Sequence, residues 1–381
     1  MSDPDSRSFQ AFVTAVSRRA EVDAPRHAVA IQQNVPIYSA AALREQLPDD
    51  RLKRQVMEEL IWVLEKGPGV FVLEGAYANL EVIDQATAIF EEIIADEQSS
   101  SGSADHFAEA GANDRIWNAL EKLCLTAPDV FARYYANDMI ALAAQSWLGP
   151  WYQMTSQINV VRPGGGPQVP HCDYHLGFQT VANANHFPTH VHRMSTMLTL
   201  QGAIAHCDMP VESGPTRILP YSQTFEGGYL AWRREEFIEL FEARHSQLPL
   251  KKGDAMFFNP ALFHAAGANK TGDVARMVNL LQISSAFGRA MERVDRTKMC
   301  EALYATLLMA LENEDLGEDD ARRAIAASAE GYSFPTNLDR NPPIDGLAPE
   351  SQASVMLQAL LRRDNLNRFR ETLRHHAEKS I

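Results

Sequence analysis

The chain has 381 residues, 45% hydrophobic and 22% charged, enough to bury a large core. Its formal charge of -14 and pI near 5.3 repel nucleic-acid phosphates and anionic lipid, and no basic run offsets them. Four cysteines (Cys124, Cys172, Cys207, Cys300) without a CxxC argue against a disulfide framework or a zinc ribbon. The start, Met1-Ser2-Asp3-Pro4-Asp5, lacks a basic and apolar leader, and no apolar run reaches membrane-spanning length. A cytoplasmic protein with a small-molecule substrate, and neither nucleic-acid nor membrane partners, is expected.

Residues 1–35 read as a loose arm or peripheral helix. Asp49 and Asp50 open a helix to Lys66, with Val56, Leu60 and Leu64 on one face and Gly67-Pro68-Gly69 as its stop. Val70–Leu73 is a short buried strand. Gly75 then turns the chain into a helix whose Ile83, Ala86, Ile89, Phe90 and Ile93 should pack on a sheet. Gln98–Ser103 reads as a flexible loop tip. Asn113–Trp117 opens a helical stretch that runs, broken near Ala127-Pro128, to Trp147-Leu148-Gly149-Pro150.

Strands follow. Gln153–Val161 alternates, and its polar face of Thr155, Gln157 and Asn159 is expected to line a site. Met194–Leu200, Thr216–Leu219, Ala255–Phe258 and Met277–Ile283 are further strands. Short strands between long excursions suit an α+β fold with a double-stranded β-helix, a jelly-roll or cupin-like core of two four-stranded sheets. The division expected is an N-terminal arm over 1–50, the β-helix domain over 51–290, and a helical extension over 291–381. That extension carries Pro-rich breaks at Phe334-Pro335 and Pro342-Pro343. Its Val355, Leu357, Leu360 and Leu361 would cover the barrel or form a homodimer surface.

On a strand alternate side chains share a face, so His171 and Asp173 project together and Cys172 turns away. With His264 they would form a two-histidine, one-carboxylate face that suits Fe(II) and leaves positions open for a co-substrate and dioxygen. Arg276, a charged planar fork, suits bidentate capture of a carboxylate such as the far end of 2-oxoglutarate, with Asn159 and Gln157 as further contacts. Tyr174, His175, Arg115 and Trp117 are substrate candidates. A histidine-aspartate step alone is weak, since such pairs are common by chance. His186, His190 and His192 read as a loop rather than a second metal site, Gly214-Pro215 as a tight turn, and Glu312–Asp320 as a solvated acidic face.

Three separated blocks give the pattern specificity: His171-x-Asp173; Glu212-Ser213-Gly214-Pro215-Thr216-Arg217-Ile218-Leu219-Pro220-Tyr221-Ser222-Gln223; and His264-Ala265-Ala266-Gly267-Ala268-Asn269-Lys270-Thr271 with Arg276. Over roughly residues 66 to 290 the chain resembles the phytanoyl-CoA dioxygenase family of Fe(II)- and 2-oxoglutarate-dependent oxygenases. The resemblance implies hydroxylation of an aliphatic carbon of a small metabolite with release of succinate and CO2. His171, Asp173 and His264 would be metal ligands and Arg276 the co-substrate anchor. Some members are halogenases with a small residue in place of the carboxylate, so Asp173 argues for hydroxylation. Two departures stand out: Ala266 replaces a serine that often helps hold 2-oxoglutarate, and Gln223 ends a segment that in the family ends in histidine. No basic cluster suited to CoA phosphates is evident, so a small polar or carboxylated metabolite is expected. A cupin-like zinc hydrolase or isomerase and a non-catalytic barrel that binds a partner are the alternatives.

Overall fold

The computed structural model describes residues 6–21, 25–101 and 113–381. Its strands are β1 (Ala30–Gln32), β2 (Val35–Ser39), β3 (Val70–Glu74), β4 (Asn113–Ile116), β5 (Gln153–Val161), β6 (Thr199–Ala205), β7 (Arg217–Leu219), β8 (Ser246–Gln247), β9 (Ala255–Phe258), β10 (Phe263–Ala265) and β11 (Arg276–Ser284). They form an eight-stranded sheet, ordered β1-β2-β3-β9-β6-β11-β5-β4, and a three-stranded sheet, β10-β7-β8. Only β2 and β3 pair in parallel; the other ladders are antiparallel.

The two sheets are far from the equal four-stranded pair expected. The large sheet gains β1 and β2 at one edge and β4 at the other, so strands from within residues 1–50 belong to it. The small sheet stays short because the segment that would be its fourth member, residues 167–171, contains Pro167 and Pro170, which offer no amide hydrogen to a ladder. What remains is one bridge, His171 to His264.

The period of two along each strand sorts side chains between two compartments. Outward-facing Phe71, Phe257, Ile158, Leu281 and Ile283 join the main core under the helices. Phe71 and Phe257 are paired across β3 and β9 with ring centroids 5.7 Å apart. Inward-facing Val72, Met256, Phe258, Ala203 and Val278 line a second core between the sheets.

The helix Asp50–Glu65 begins where the Asp49 side chain accepts from the amides of Arg51 and Leu52, and it buries Val56, Leu60, Val63 and Leu64. Gly69, at φ +81, turns the chain into β3. The C-terminal helices Arg296–Glu312, Glu318–Ser328, Gln352–Leu361 and Leu366–Ser380 add Leu303, Leu307, Ile325, Leu360 and Phe369 to the main core. Val355 is also buried, Leu357 packs against this core, and Leu361 is exposed. In the N-terminal helix Ser6–Val16, Phe12 is fully buried among Phe225, Phe237 and Phe263 behind the small sheet. No helix among the described residues is long and apolar enough to cross a membrane.

Three local readings are corrected. Asn113–Ile116 is a strand: its residues pair with Ile158 to Val161 of β5, and a helix starts only at Ala119, after Asn118 in a left-handed conformation. Residues 98–101 continue the helix Glu81–Ser101, while the rest of the expected loop tip, Gly102 and Ser103, lies outside the described residues. Thr189–Met197 is a helix carrying His190 and His192, and the strand begins at Thr199. Gly202 and two alanines make Thr199–Ala205 a weak strand by propensity, yet the glycine is required. A Cβ there would sit 2.8 Å from the Phe257 ring and 3.3 Å from Leu281 Cβ. Gly202→Val should therefore lower stability by about 1–3 kcal/mol, measured as a shift of the urea midpoint at constant slope.

Candidate metal and co-substrate site

His171, Asp173 and His264 come together at the end of the small sheet. Their ligand atoms all lie within 4.8 Å of one another, and they are the one such cluster among the described residues. Backbone bonds fix this meeting. His171 and His264 exchange amide-to-carbonyl bonds of 2.9 and 2.8 Å, and the Asp173 amide donates to the Pro260 carbonyl at 2.8 Å. In such a reciprocal pair the two side chains stand side by side on one face, and the two imidazole centroids are 4.5 Å apart.

The ring nitrogens are assigned by their partners. Nδ1 of His171 meets the Val169 carbonyl at 2.9 Å, and Nδ1 of His264 meets the Leu262 carbonyl at 2.9 Å. A carbonyl only accepts, so Nδ1 carries the proton in both rings and Nε2 offers its lone pair. Burial, then the neighbouring His171, pushes the His264 imidazole down to about 4, which keeps it neutral and fit to ligate. The Nε2 atoms of His171 and His264 lie 4.0 and 3.7 Å from the Asp173 carboxylate oxygens. Two neutral imidazoles and a carboxylate converging through unprotonated atoms fit a divalent transition metal.

Gln201 was not foreseen. Its Nε2 donates to Asp173 Oδ2, with a weaker contact of 3.4 Å to Gln282 Oε1. Gln201 faces Gln282 across β6 and β11. An amide on the inner face of two otherwise apolar strands was the available signal, but it was lost when the strand was placed at 194–200.

The cluster opens into a cavity of about 550 Å³ between the sheets. Arg276 lines it, 3% exposed, with Nε and Nη1 lacking any hydrogen-bond partner and no ion pair among the described residues. Burial pulls its guanidinium below the ordinary arginine value. An unpaired buried cation is costly, and a carboxylate of the co-substrate fits the vacancy in its hydrogen bonding.

Asn159 and Gln157 also reach the cavity, whereas Thr155, on the same strand face, is fully buried and bonds the Gln282 carbonyl. Ala266 lies on the wall, and the ladder Phe263↔Leu219, His264↔Ile218, Ala265↔Arg217 sets Thr216 opposite it. Gly214, at φ +75, makes the turn before Thr216, its Cα packed against the Gly267 and Ala268 carbonyls where a Cβ would collide.

Of the substrate candidates, Arg115 and Trp117 line the cavity, the guanidinium 5.1 Å from the indole centroid and Nη1 donating to Gln157 Oε1 at 2.9 Å. Tyr174 lines it too, with its hydroxyl buried and unpartnered. His175 does not. Its Nδ1 meets Thr199 Oγ1 at 3.0 Å, its amide donates to Ser195, and its Nε2 accepts weakly from the Arg289 amide. Gln223 instead ties two turns, donating to the Gly67 carbonyl at 2.8 Å. Phe178, at the start of a loop (178–192) of the kind that sets substrate choice, lies on the wall near His171 together with Trp232, for which the sequence offers no signal. All four cysteines are free thiols.

A jelly-roll core with two histidines, a carboxylate and a buried unpaired arginine in one cavity defines a metal-dependent enzyme that takes an anionic co-substrate. The phytanoyl-CoA dioxygenase (PhyH) profile matches residues 66–278, and the chain belongs to that family. It is accordingly an Fe(II)- and 2-oxoglutarate-dependent enzyme. Among solved structures it is similar to SnoN, a non-haem α-ketoglutarate-dependent epimerase from nogalamycin biosynthesis. That pair shares 20% identity, covering 61% of this chain and 82% of SnoN, with a TM-score of 0.42. SnoK, a carbocyclase from the same biosynthesis, gives 20% identity, coverage of 60% and 83%, and a TM-score of 0.43. HygX from Streptomyces hygroscopicus, with nickel, 2-oxoglutarate and hygromycin B bound, gives 13% identity, coverage of 62% and 90%, and a TM-score of 0.45. No curated protein matches the chain.

Gln201 orients the carboxylate ligand, and outer partners of this kind contribute about 10- to 100-fold in metal affinity. Gln201→Ala should weaken Fe(II) or Mn(II) binding by that factor in an anaerobic titration, while Gln201→Glu, which sets a second carboxylate against Asp173, should change affinity in a different measure from the alanine variant.

Proposed function

We propose that this protein hydroxylates an aliphatic carbon of a small molecule, with 2-oxoglutarate converted to succinate and CO2. The observation that carries the reading is the pairing, in one cavity, of a complete two-histidine, one-carboxylate set with the buried and unpartnered guanidinium of Arg276. A zinc hydrolase has no use for that second feature. Asp173 keeps a carboxylate in the ligand set, which leaves no gap for a halide.

Iron with 2-oxoglutarate and dioxygen supplies the oxidising power when bound. The chain's own work is positional. His171 and His264 hold their Nε2 lone pairs toward a common point through the carbonyls of Val169 and Leu262, and Gln201 fixes Asp173. Arg276 receives the far carboxylate of the co-substrate as a planar fork. Thr216, opposite Ala266, supplies the hydroxyl that Ala266 lacks, from the neighbouring strand. The apolar wall, with Val278, Leu280 and Phe258, keeps bulk water from the reacting centre.

The decisive test loads the protein anaerobically with Fe(II), 2-oxoglutarate and a metabolite pool, then admits isotope-labelled dioxygen. One labelled oxygen atom in a product, with matching succinate, is expected; product without label would replace hydroxylation by another reaction of the same cofactor set. Asp173→Ala should abolish turnover and weaken metal binding.

Arg276→Ala removes a buried charge partner, a loss of about 2–5 kcal/mol. The 2-oxoglutarate requirement should therefore rise by roughly 30-fold or more, and an unchanged requirement would remove Arg276 from the site. Thr216→Val should weaken 2-oxoglutarate by about tenfold or more, the worth of a hydrogen bond to a charged group. It should leave 2-oxobutyrate, which has no far carboxylate, unaffected. Adding Ala266→Ser to Thr216→Val should restore much of the loss.

A further inference from the structure

We propose that the substrate is an apolar, ring-bearing molecule, neutral or singly anionic, selected by Phe178, Trp232 and Arg115; this rests on the oxygenase reading above. The argument starts from what the cavity wall has left once the metal and co-substrate are provided for. With His171, Asp173, His264 and Arg276 assigned, Arg115 is the one remaining charged side chain on the wall among the described residues.

A cationic substrate would find no free acidic partner there among the described residues. Asp173 belongs to the ligand set, and Glu292 is not on the wall: it lies behind Gln157, whose Nε2 contacts it at 3.5 Å. A substrate with several phosphates, such as a CoA thioester, needs a cluster of cations, and this wall offers one.

Strongly polar neutral molecules fare little better, because most of the wall's amides are engaged and few groups, the Tyr174 hydroxyl and Gln201 Oε1 among them, lack a partner. Gln157 accepts from Arg115, Gln168 Oε1 accepts from the Ala266 amide, and Gln282 Oε1 contacts Gln201. Asn159 sits on β5 two residue pairs from Arg276 along the β5–β11 ladder, at the co-substrate end.

The positive evidence is aromatic. Phe178 stands edge-on to the His171 ring at 5.4 Å, and Trp232 lies 6.4 Å from that ring and 6.1 Å from Phe178. Two rings thus stand beside the metal-ligand cluster, where a substrate carbon must come. Apolar side chains at the opening remain in water: Phe178 is 53%, Val169 63% and Met291 43% exposed. Leaving such surface wet forgoes about 25 cal/mol per Å², and a wet apolar rim around a cavity marks a binding site. Arg115, near Trp117 and braced by Gln157, provides one place for a carboxylate or carbonyl of the bound ring system. The cavity of about 550 Å³ has to hold 2-oxoglutarate together with the ring-bearing substrate, within the range of ordinary ligand pockets.

The test is calorimetric titration of protein loaded with Mn(II) and 2-oxoglutarate, using three probes: 2-naphthoate, 2-naphthylmethylammonium and glucuronate. Naphthoate should bind at least about tenfold more tightly than the cation of the same shape or the polar ring anion. Phe178→Ala and Trp232→Ala should each weaken naphthoate by about tenfold, with Trp232→Phe keeping most of the affinity. Leu347→Ala, an exposed apolar change outside the cavity wall, should not alter it. Arg115→Met should abolish the preference for naphthoate over neutral 2-naphthol. Equal binding of the cation or of glucuronate, or naphthoate binding indifferent to both aromatic variants, would overturn the proposal. Titration of 2-oxoglutarate alone separates the two levels. If it binds and depends on Arg276 while naphthoate fails, only the substrate class falls; if it does not bind, the oxygenase reading falls with it.

Discussion

The reciprocal pair of backbone bonds between His171 and His264 governs the rest of the site. It is an isolated bridge, since prolines at 167 and 170 keep this segment from pairing as a regular strand. One hydrogen-bonded pair is nevertheless enough to set two residues distant in sequence side by side with their rings on one face. Asp173, anchored by its amide to Pro260, then falls two residues along on the same face. The ligand geometry is thus a property of backbone pairing, present without the ion, and the imidazole orientations are locked by carbonyls of the same two segments. Such preorganisation means that little ordering remains to oppose metal binding.

The large sheet turns this local arrangement into a dry chamber. Its outer face is sealed by helices from both ends of the chain, including Leu303, Leu307 and Phe369 from beyond residue 290. The inner face is therefore free to carry Gln201, Gln282, Gln157, Asn159 and Arg276 without loss of the main core. The outer face carries a small polar network of its own: the Asn279 amide donates to the hydroxyls of Tyr134 and Tyr135, and His206 contacts Thr87 and Tyr134. Burial drives the His206 imidazole to about 3, so it stays neutral inside that network.

What the sequence made legible follows from how local each signal is. The strand Ala255–Phe258 and the helix from Asp49 were readable because an apolar run between turn residues, or a cap before a periodic stripe, is decided within a few residues. The ligand set and Arg276 were readable because three motifs kept their order and spacing. Residues 113–116 were misread because Asn-Asp-Arg looks like a helix start, while their strand exists only through pairing with β5, distant in sequence. Thr199–Ala205 was obscured by Gly202, whose presence answers to the Phe257 ring on a neighbouring strand. Gln201 and Thr216 were missed for the same reason: each faces the cavity by register, and register is a tertiary quantity.

Charge balance connects the two ends of the cavity. Among the described residues the chamber wall carries one carboxylate, Asp173, and two guanidiniums, Arg276 and Arg115. Fe(II) would add two positive charges and 2-oxoglutarate two negative ones, and the role proposed for Arg276 would set one of those carboxylates against its guanidinium. Each makes the other easier to bury, because an isolated ion in this setting is penalised far more than a neutralised pair. Once both are present, the deep part of the chamber has no unanswered charge to offer a third molecule. Discrimination among substrates must then come from the shape and apolar surface set by Phe178 and Trp232, with Arg115 as the charged anchor.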